Sequence, residues 1–305
     1  MKPHLILGIG ELLWDVLPES ARLGGAPANF TVMAGRLGNH AAILSRIGRD
    51  DLGRKAVDAL DGLPADTEFL QIDPAHETGR VTVTLKDGQP EYIIHRPAAW
   101  DFLSLSDEWV GLAQRADAIC FGSLAQRNLV SRQTIQELVA QARPECIRVF
   151  DVNLRAPFYT SEVVEGSLEL ATVLKMNDAE VPIIEGLLGL PEETDLRLAA
   201  KRLLGEFPHL RLVVITRGAH GSLLVDRDDW HDHPGIPVRV ADTIGAGDAF
   251  TAALTHYLLR GGHLATLNEA GNRWGAWMAS QSGAMPPLTD AVQSQIERQI
   301  EFATS

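Results

Sequence analysis

What most limits the fold of this chain is a series of short, continuously apolar runs separated by stretches of helical periodicity. The runs are His4 to Gly10, Ala41 to Ile47, Ala118 to Phe121, Ile147 to Val152, Thr172 to Met176 and Leu212 to Thr216. Between and after them come periodic stretches at Ala28 to Leu37, Ser131 to Ala142, Leu196 to Leu204, Ala246 to Leu259 and Leu264 to Ser280. A strand that is apolar on both faces must be covered on both. The alternation therefore predicts an α/β fold with a mostly parallel central sheet between helices. At 305 residues, 45% hydrophobic and 22% charged, the chain can build such a core and is unlike a disordered or coiled-coil sequence.

One segment breaks the rhythm. Gly79 to Arg96 reads GRVTVTLKDGQPEYIIHR, two β-rich runs around a Lys86-Asp87-Gly88-Gln89 turn, and predicts a hairpin. An isolated hairpin is marginal in water, so this one is expected in a small accessory sheet that covers something. Within it Val81, Val83 and Leu85 alternate with Arg80, Thr82 and Thr84, so one face needs cover. No repeat, low-complexity tract or Pro/Gly-rich linker divides the sequence, which favours a single domain over 1–305.

Charge and cysteine usage exclude several function classes. Lys and Arg number 27 against 40 Asp and Glu, a formal charge of −13 that repels nucleic-acid phosphates and anionic membranes. Cys120 and Cys146 fit neither a metal knuckle nor a disulfide framework and read as free core thiols. The apolar run Leu5 to Ile9 is shorter than a signal core and is followed at once by Glu11 and Asp15, so a cytoplasmic location is expected. His231-Asp232-His233 lacks further ligands for a metal site. After Gly8 and Gly10, position 13 is Leu13 where a dinucleotide fingerprint needs glycine, and no P-loop pattern occurs.

The strongest chemical signal is Asp242-Thr243-Ile244-Gly245-Ala246-Gly247-Asp248 leading into an amphipathic helix. Small residues at a helix start let backbone N–H groups converge on an anion. Asp248 beside that anion hole can accept a hydroxyl proton during phosphoryl transfer. The same residues are equally readable as a packing turn and a carboxylate stabilising the helix dipole. A second segment, Leu23-Gly24-Gly25-Ala26-Pro27-Ala28-Asn29-Phe30, also enters a helix with proline at its first turn. Asn29 offers a donor and an acceptor to sugar hydroxyls, and Asp15 can accept from two of them. A plain turn followed by an exposed asparagine is the alternative.

Together these segments resemble the PfkB, or ribokinase-like, family of carbohydrate kinases. The resemblance spans nearly the whole chain: GGAPANFTVMAGRLG, SRIGRDDLG (Ser45 to Gly53) and DTIGAGDAF, the outer two about 220 residues apart. GELLWDVLP (Gly10 to Pro18), HRPAAWD (His95 to Asp101) and DVNLR (Asp151 to Arg155) resemble fructokinase-like members in particular. The resemblance implies a Rossmann-like three-layer α/β/α sandwich with a β-lid formed by about 11–24 and 77–100. It also implies phosphorylation of a free sugar with ATP and Mg²⁺, a possible K⁺ near Asp242 and Ala284, and a homodimer paired through the lid.

The resemblance further assigns residues. Asp248 matches the catalytic base and Gly245, Ala246 and Gly247 the anion hole, while Asp15, Gly24, Gly25 and Asn29 match sugar-contacting positions; Arg96 and Arg155 are further expected to bind the substrate. In Asn177-Asp178-Ala179-Glu180, Glu180 would hold Mg²⁺ through water and Asn177 approach the phosphates, although the spacing is also that of a helix capping pair. Thr216, Gly218 and Gly221 match the nucleotide-side turn, which also reads as a plain strand connection. Asn272 matches a position lining the adenine pocket, or is merely a polar helical residue. Arg155, at the end of a central strand, can donate to neutral fructose, clamp a sugar acid such as 2-keto-3-deoxygluconate, or make a surface ion pair. Ribokinase, nucleoside kinase and non-catalytic sensor activities on the same fold are the remaining alternatives.

Overall fold

The computed structural model describes residues 3–16, 20–86 and 89–304, without the side chains of 83–86, 89–92, 302 and 304. Its strands are β1 (Leu5–Ile9), β2 (Leu13–Val16), β3 (Ala21–Gly24), β4 (His40–Leu44), β5 (Arg46–Gly48), β6 (Gln71–Asp73) and β7 (Gly79–Lys86). They continue with β8 (Gln89–Ile94), β9 (Ala118–Gly122), β10 (Ile147–Asp151), β11 (Val173–Asn177), β12 (Leu212–Thr216), β13 (Ser222–Asp226) and β14 (Trp230–His233). The helices are α1 (Ala26–Arg36), α2 (Asp51–Leu60), α3 (Asp107–Ala113), α4 (Leu129–Ala140) and α5 (Ser161–Leu168). Later in the chain follow α6 (Val181–Leu187), α7 (Leu196–Glu206), α8 (Ala246–Leu258), α9 (Leu264–Ala279) and α10 (Asp290–Thr304).

The large sheet runs β14-β13-β12-β11-β10-β9-β1-β4. It is parallel from β4 to β12, with an antiparallel β13–β14 margin. Alternate residues of each strand serve opposite layers. Leu7, Ile9, Phe121, Phe150, Leu174 and Ile215 pack against α3 to α7, whereas Ile6, Cys120, Val149, Val173 and Val214 pack against α1, α8, α9 and α10. This two-sided burial is why the strands read as unbroken apolar runs, and it gives the three-layer α/β/α sandwich expected from the sequence. Cys120 and Cys146 are buried free thiols, one in each layer. Trp100, Trp109 and Trp274 are buried.

A separate four-stranded sheet, β3-β2-β7-β8, uses the predicted lid segments. Asp87 and Gly88 of the predicted turn lie outside the described residues, as do Leu17 and Pro18 of the GELLWDVLP motif. Val81 is buried within the monomer, so cover for that part of the face comes from the chain itself. The side chains of Val83, Thr84 and Leu85 are outside the description, and Ile93, opposite Thr82 in register, is exposed. Beneath this sheet Leu12, Trp14, Ala28, Val32, Ile43 and Ile47 form a third apolar cluster.

The segment Ala41 to Ile47, expected as one strand, is two. β4 ends before Ser45, whose hydroxyl donates to the Gly10 carbonyl (2.6 Å), and β5 leaves to pair with β6. The outer side of β4 is covered by the segment around Asp66: Ile43 N–H donates to the Asp66 carbonyl and Asp66 N–H to that of Ala41. At the other margin β14 is four residues long, and its Asp232 is held by both terminal nitrogens of Arg217 (2.9 and 2.8 Å). Among the described residues no helix is long and apolar enough to cross a membrane.

Candidate active site

In open α/β sheets ligands gather at the carboxyl ends of strands where chain connections diverge to opposite faces. Here β1 sits between β4 and β9 and passes through Gly10, Glu11 and Leu12 straight into β2 of the small sheet. Glu11 Oε1 accepts from Ala26 N–H (3.3 Å) at the start of α1. The tightness of that crossing explains Gly25: its φ is +115° and a Cβ there would lie 2.3 Å from the Glu11 carbonyl oxygen.

From α1, Asn29 donates its amide to Asp248 Oδ2 (2.8 Å) across 219 positions of sequence. Asn29 is buried and its Oδ1 has no partner, leaving an acceptor free for a hydroxyl. Asp248 lies in the first turn of α8, preceded by Gly245 at φ +77°. The N–H groups of that turn have no acceptor within the helix, so they and the helix dipole favour negative charge there.

Under the turn lies a charge cluster whose members come from different strands. Lys175 Nζ, from β11, donates to Asp151 Oδ1 of β10 (2.9 Å), and the Thr251 hydroxyl donates to Asp151 Oδ2 (3.0 Å). A Cβ on Gly247 would stand 3.1 Å from Lys175 Nζ, so the ammonium lies directly beneath the glycine turn. Burial alone would lower the Lys175 pKa, but the Asp151 carboxylate, joined by Glu180 and Asp248, outweighs it and the pKa is raised. Burial, with the Asp151 charge adding, pushes Asp248 up to about 6 against the opposing pull of Asn29, Lys175 and Arg155. Burial likewise pushes Glu11 up to about 7 despite its backbone hydrogen bonds, and the nearby Asp248 charge adds to the rise.

Asp15 faces the same space. Its carboxyl is raised by burial and opposed by the charges of Arg155 and Arg22, and a Cβ on Gly24 would stand 3.2 Å from its Oδ2. Arg155 is exposed, its guanidinium donates to the neighbouring Leu154 carbonyl (3.0 Å), and it exerts its charge on Asp15, Glu11 and Asp248. Asp15, Gly24, Gly25, Asn29, Arg155 and the Gly245–Asp248 turn are thus brought together.

The residues expected on the nucleotide side are placed differently. Asn177 and Thr216 are register partners at the ends of β11 and β12. Asn177 Oδ1 accepts from Glu180 N–H (2.9 Å) and Glu180 Oε2 from Asn177 N–H (2.8 Å), the reciprocal capping pair that the spacing allowed. Glu180 Oε1 also accepts from Leu154 N–H (2.7 Å), tying β11 to the DVNLR segment. Gly218 and Gly221 shape the turn after β12, both at positive φ. Asn272 is buried and spends its amide on Ser222 Oγ and Asn268, holding α9 to β13. Arg96 lines a neighbouring cavity of about 440 Å³ with Asp101, Arg127, Arg132 and Phe158, to which none of the Asp248 cluster contributes. The paired histidines have local partners, His233 with Glu269 and His231 with Asn268.

Sequence reading passed over Glu11 and Lys175 as site residues. A lone lysine within the apolar strand Val173–Asn177 is the signal that could have found the second, because a buried ammonium requires a counter-charge.

Comparison with known proteins decides the family. Residues 18–291 match the family described as pfkB family carbohydrate kinase. The chain belongs to that family. It is an ATP-dependent carbohydrate kinase, 30% identical to the fructokinase of Vibrio alginolyticus over 92% of this chain and 94% of the relative. The crystal structure of a Pyrococcus horikoshii sugar kinase in complex with ATP is 28% identical to the kinase, with TM-score 0.83 over 97% and 99% of the two chains. Vibrio cholerae fructokinase, crystallised with fructose, ADP and calcium, is 26% identical, with TM-score 0.79 over 95% and 98%. A double mutant of that enzyme, with fructose, ADP and potassium, gives TM-score 0.80 over 96% and 99% at the same identity.

Proposed function

We propose that this kinase transfers the γ-phosphoryl group of ATP to a hydroxyl of free fructose, acting as one kinase domain with the small sheet as its lid. The observation that carries this reading is Asp248, a recessed carboxylate at the start of α8, held by Asn29 and seated above the Lys175–Asp151 pair. Asp248 accepts the hydroxyl proton as the sugar oxygen attacks, and the N–H groups of Gly245 to Asp248 take up negative charge on the transferring group. Asp15, Asn29, Gly24, Gly25 and Arg155 receive the sugar, Arg96 standing apart in its neighbouring cavity, and Thr216, Gly218, Gly221, Asn177 and Asn272 belong to the nucleotide side.

Mg²⁺ fits this charge arrangement. The Asp151, Glu180 and Asp248 carboxylates all act on Lys175, more negative than positive charge in one recess. Glu180 uses one lone pair of each oxygen on backbone N–H groups and keeps others for a metal-bound water. When bound, Mg²⁺ neutralises phosphate charge.

Arg155 supports a second reading, a kinase for 2-keto-3-deoxygluconate, because its guanidinium is available for a carboxylate. A coupled assay with Mg²⁺–ATP over a panel of free sugars tests both. Fructose is expected to win in direct competition; preference for the sugar acid replaces the first reading with the second, and turnover of neither overturns both.

A further inference from the structure

The family resemblance puts a monovalent cation near Asp242 and Ala284, and a related fructokinase was crystallised with potassium. Such an ion needs a shell of oxygen ligands. Around Asp242, the first residue of the turn motif, both carboxylate oxygens are taken by N–H donors, and the Ala279 carbonyl oxygen accepts from the Asp242 N–H (3.3 Å). Asp242 Oδ1 accepts from Ile244 N–H (3.0 Å), and Oδ2 accepts from Gly283 N–H (3.2 Å) and from Arg22 Nη1 (2.8 Å). Arg22 Nη2 reaches on to the Ser282 hydroxyl (3.3 Å). On the far side the turn rests directly on the chain: a Cβ on Gly245 would stand 3.0 Å from both Cα and Cβ of Ala284. With Arg22 in place, the residues near Asp242 and Ala284 do not fit K⁺.

Resting on the kinase reading above, we propose that Arg22 is the built-in cation of this enzyme, a positioning residue that replaces a soluble monovalent ion at Asp242. Arg22 stands on β3 opposite Asp15 in the β2–β3 register, so the two side chains share one face of the small sheet. Its guanidinium therefore ties β3, the strand paired with the one that carries Asp15, to the loop that opens into Asp248. A free ion would neutralise Asp242 equally well but would not connect the two. The Asp242 carboxyl is 17% exposed and the Arg22 side chain 41%, so solvent screens the pair from the arginine side.

The test compares wild type, Arg22→Met and Arg22→Lys in KCl and in choline chloride at equal ionic strength, using the preferred sugar of the panel and thermal melts of the ligand-free protein. Wild type is expected to turn over equally, within about twofold, in the two salts, whereas Arg22→Met loses about tenfold or more in choline chloride and recovers in KCl. KCl should raise the melting temperature of Arg22→Met but not of wild type, and Arg22→Lys should restore salt independence. Activation of wild type by KCl, or full activity of Arg22→Met in choline chloride, overturns the proposal. If wild type phosphorylates no sugar, the kinase assignment fails separately, and the melts alone decide: a KCl-specific rise confined to Arg22→Met upholds the cation role, and any other pattern rejects it.

Discussion

Asp248 can act as a base only when ionised, and its burial places that ionisation at about 6. The kcat/KM of the kinase should therefore fall as pH drops through about 6. Asp248→Asn, which keeps the shape and removes the proton acceptor, should lower turnover by ~10²- to 10⁴-fold with sugar binding largely kept. Steady-state kinetics and equilibrium binding check the two halves separately. Glu11, with a pKa of about 7, is neutral while Asp248 titrates, so Glu11→Gln should leave the acid limb of the profile in place. The same group also bears on stability. A carboxyl whose folded pKa is raised to about 7 binds more protons in the native state between its unfolded value and 7, so folding stability falls as pH rises through that window. The melting temperature of Glu11→Gln should accordingly gain on wild type between pH 5 and pH 8. An unchanged gap would mean that the carboxylate is not held out of water. Asp248 and Asn29 were legible because each sits in a glycine-rich helix start, where residue type and backbone geometry point to the same chemistry. Glu11 was not, because an acidic residue after a strand looks like an ordinary solvated turn until α1 folds back over it.

Helices and strands divide along similar lines. β1, β9, β10, β11 and β12 were readable because both of their faces are apolar, and α1, α8 and α9 because their buried stripes recur at helical spacing. α2 escaped notice because Asp51, Arg54, Lys55 and Asp58 dominate its sequence; Asp50 fixes its start by accepting from Gly53 N–H (2.7 Å). The break at Ser45 was invisible for a different reason: the hydroxyl that ends β4 finds its partner 35 positions away. For the pair Asn177 and Glu180 the spacing left cap and ligand open, and the two bond each other reciprocally in the turn before α6, whose N-cap is Glu180. The packing of α9 on α8 makes a further prediction. α8 and α9 approach so nearly that a Cβ on Gly271 would stand 2.6 Å from the Phe250 ring. Gly271→Val should cost ~1–3 kcal/mol by overpacking, read as a lower denaturant midpoint at unchanged slope. A neutral result would show that the α8–α9 contact can relax without disturbing the turn that holds Asp248.

For the whole molecule, we propose a homodimer paired through the small sheet, whose outward face carries the exposed Ile93. Light scattering at micromolar concentration should give twice the 33.2 kDa chain mass, and Ile93→Asp should reduce it to one chain. A wild-type monomer with full activity rejects the dimer. The margins of the large sheet bear on where a second copy can join. An unpaired strand edge is a template for strand addition, and proteins blunt such edges by covering them, shortening them or charging them. Here the Asp66 segment occupies the free side of β4, and the opposite margin is the four-residue β14 with Asp232 clamped by Arg217. Neither offers a long, flat apolar ladder. Edge-to-edge aggregation through the large sheet is thereby disfavoured, and any association by strand addition falls to the small sheet, where β3 and β8 are the outer strands.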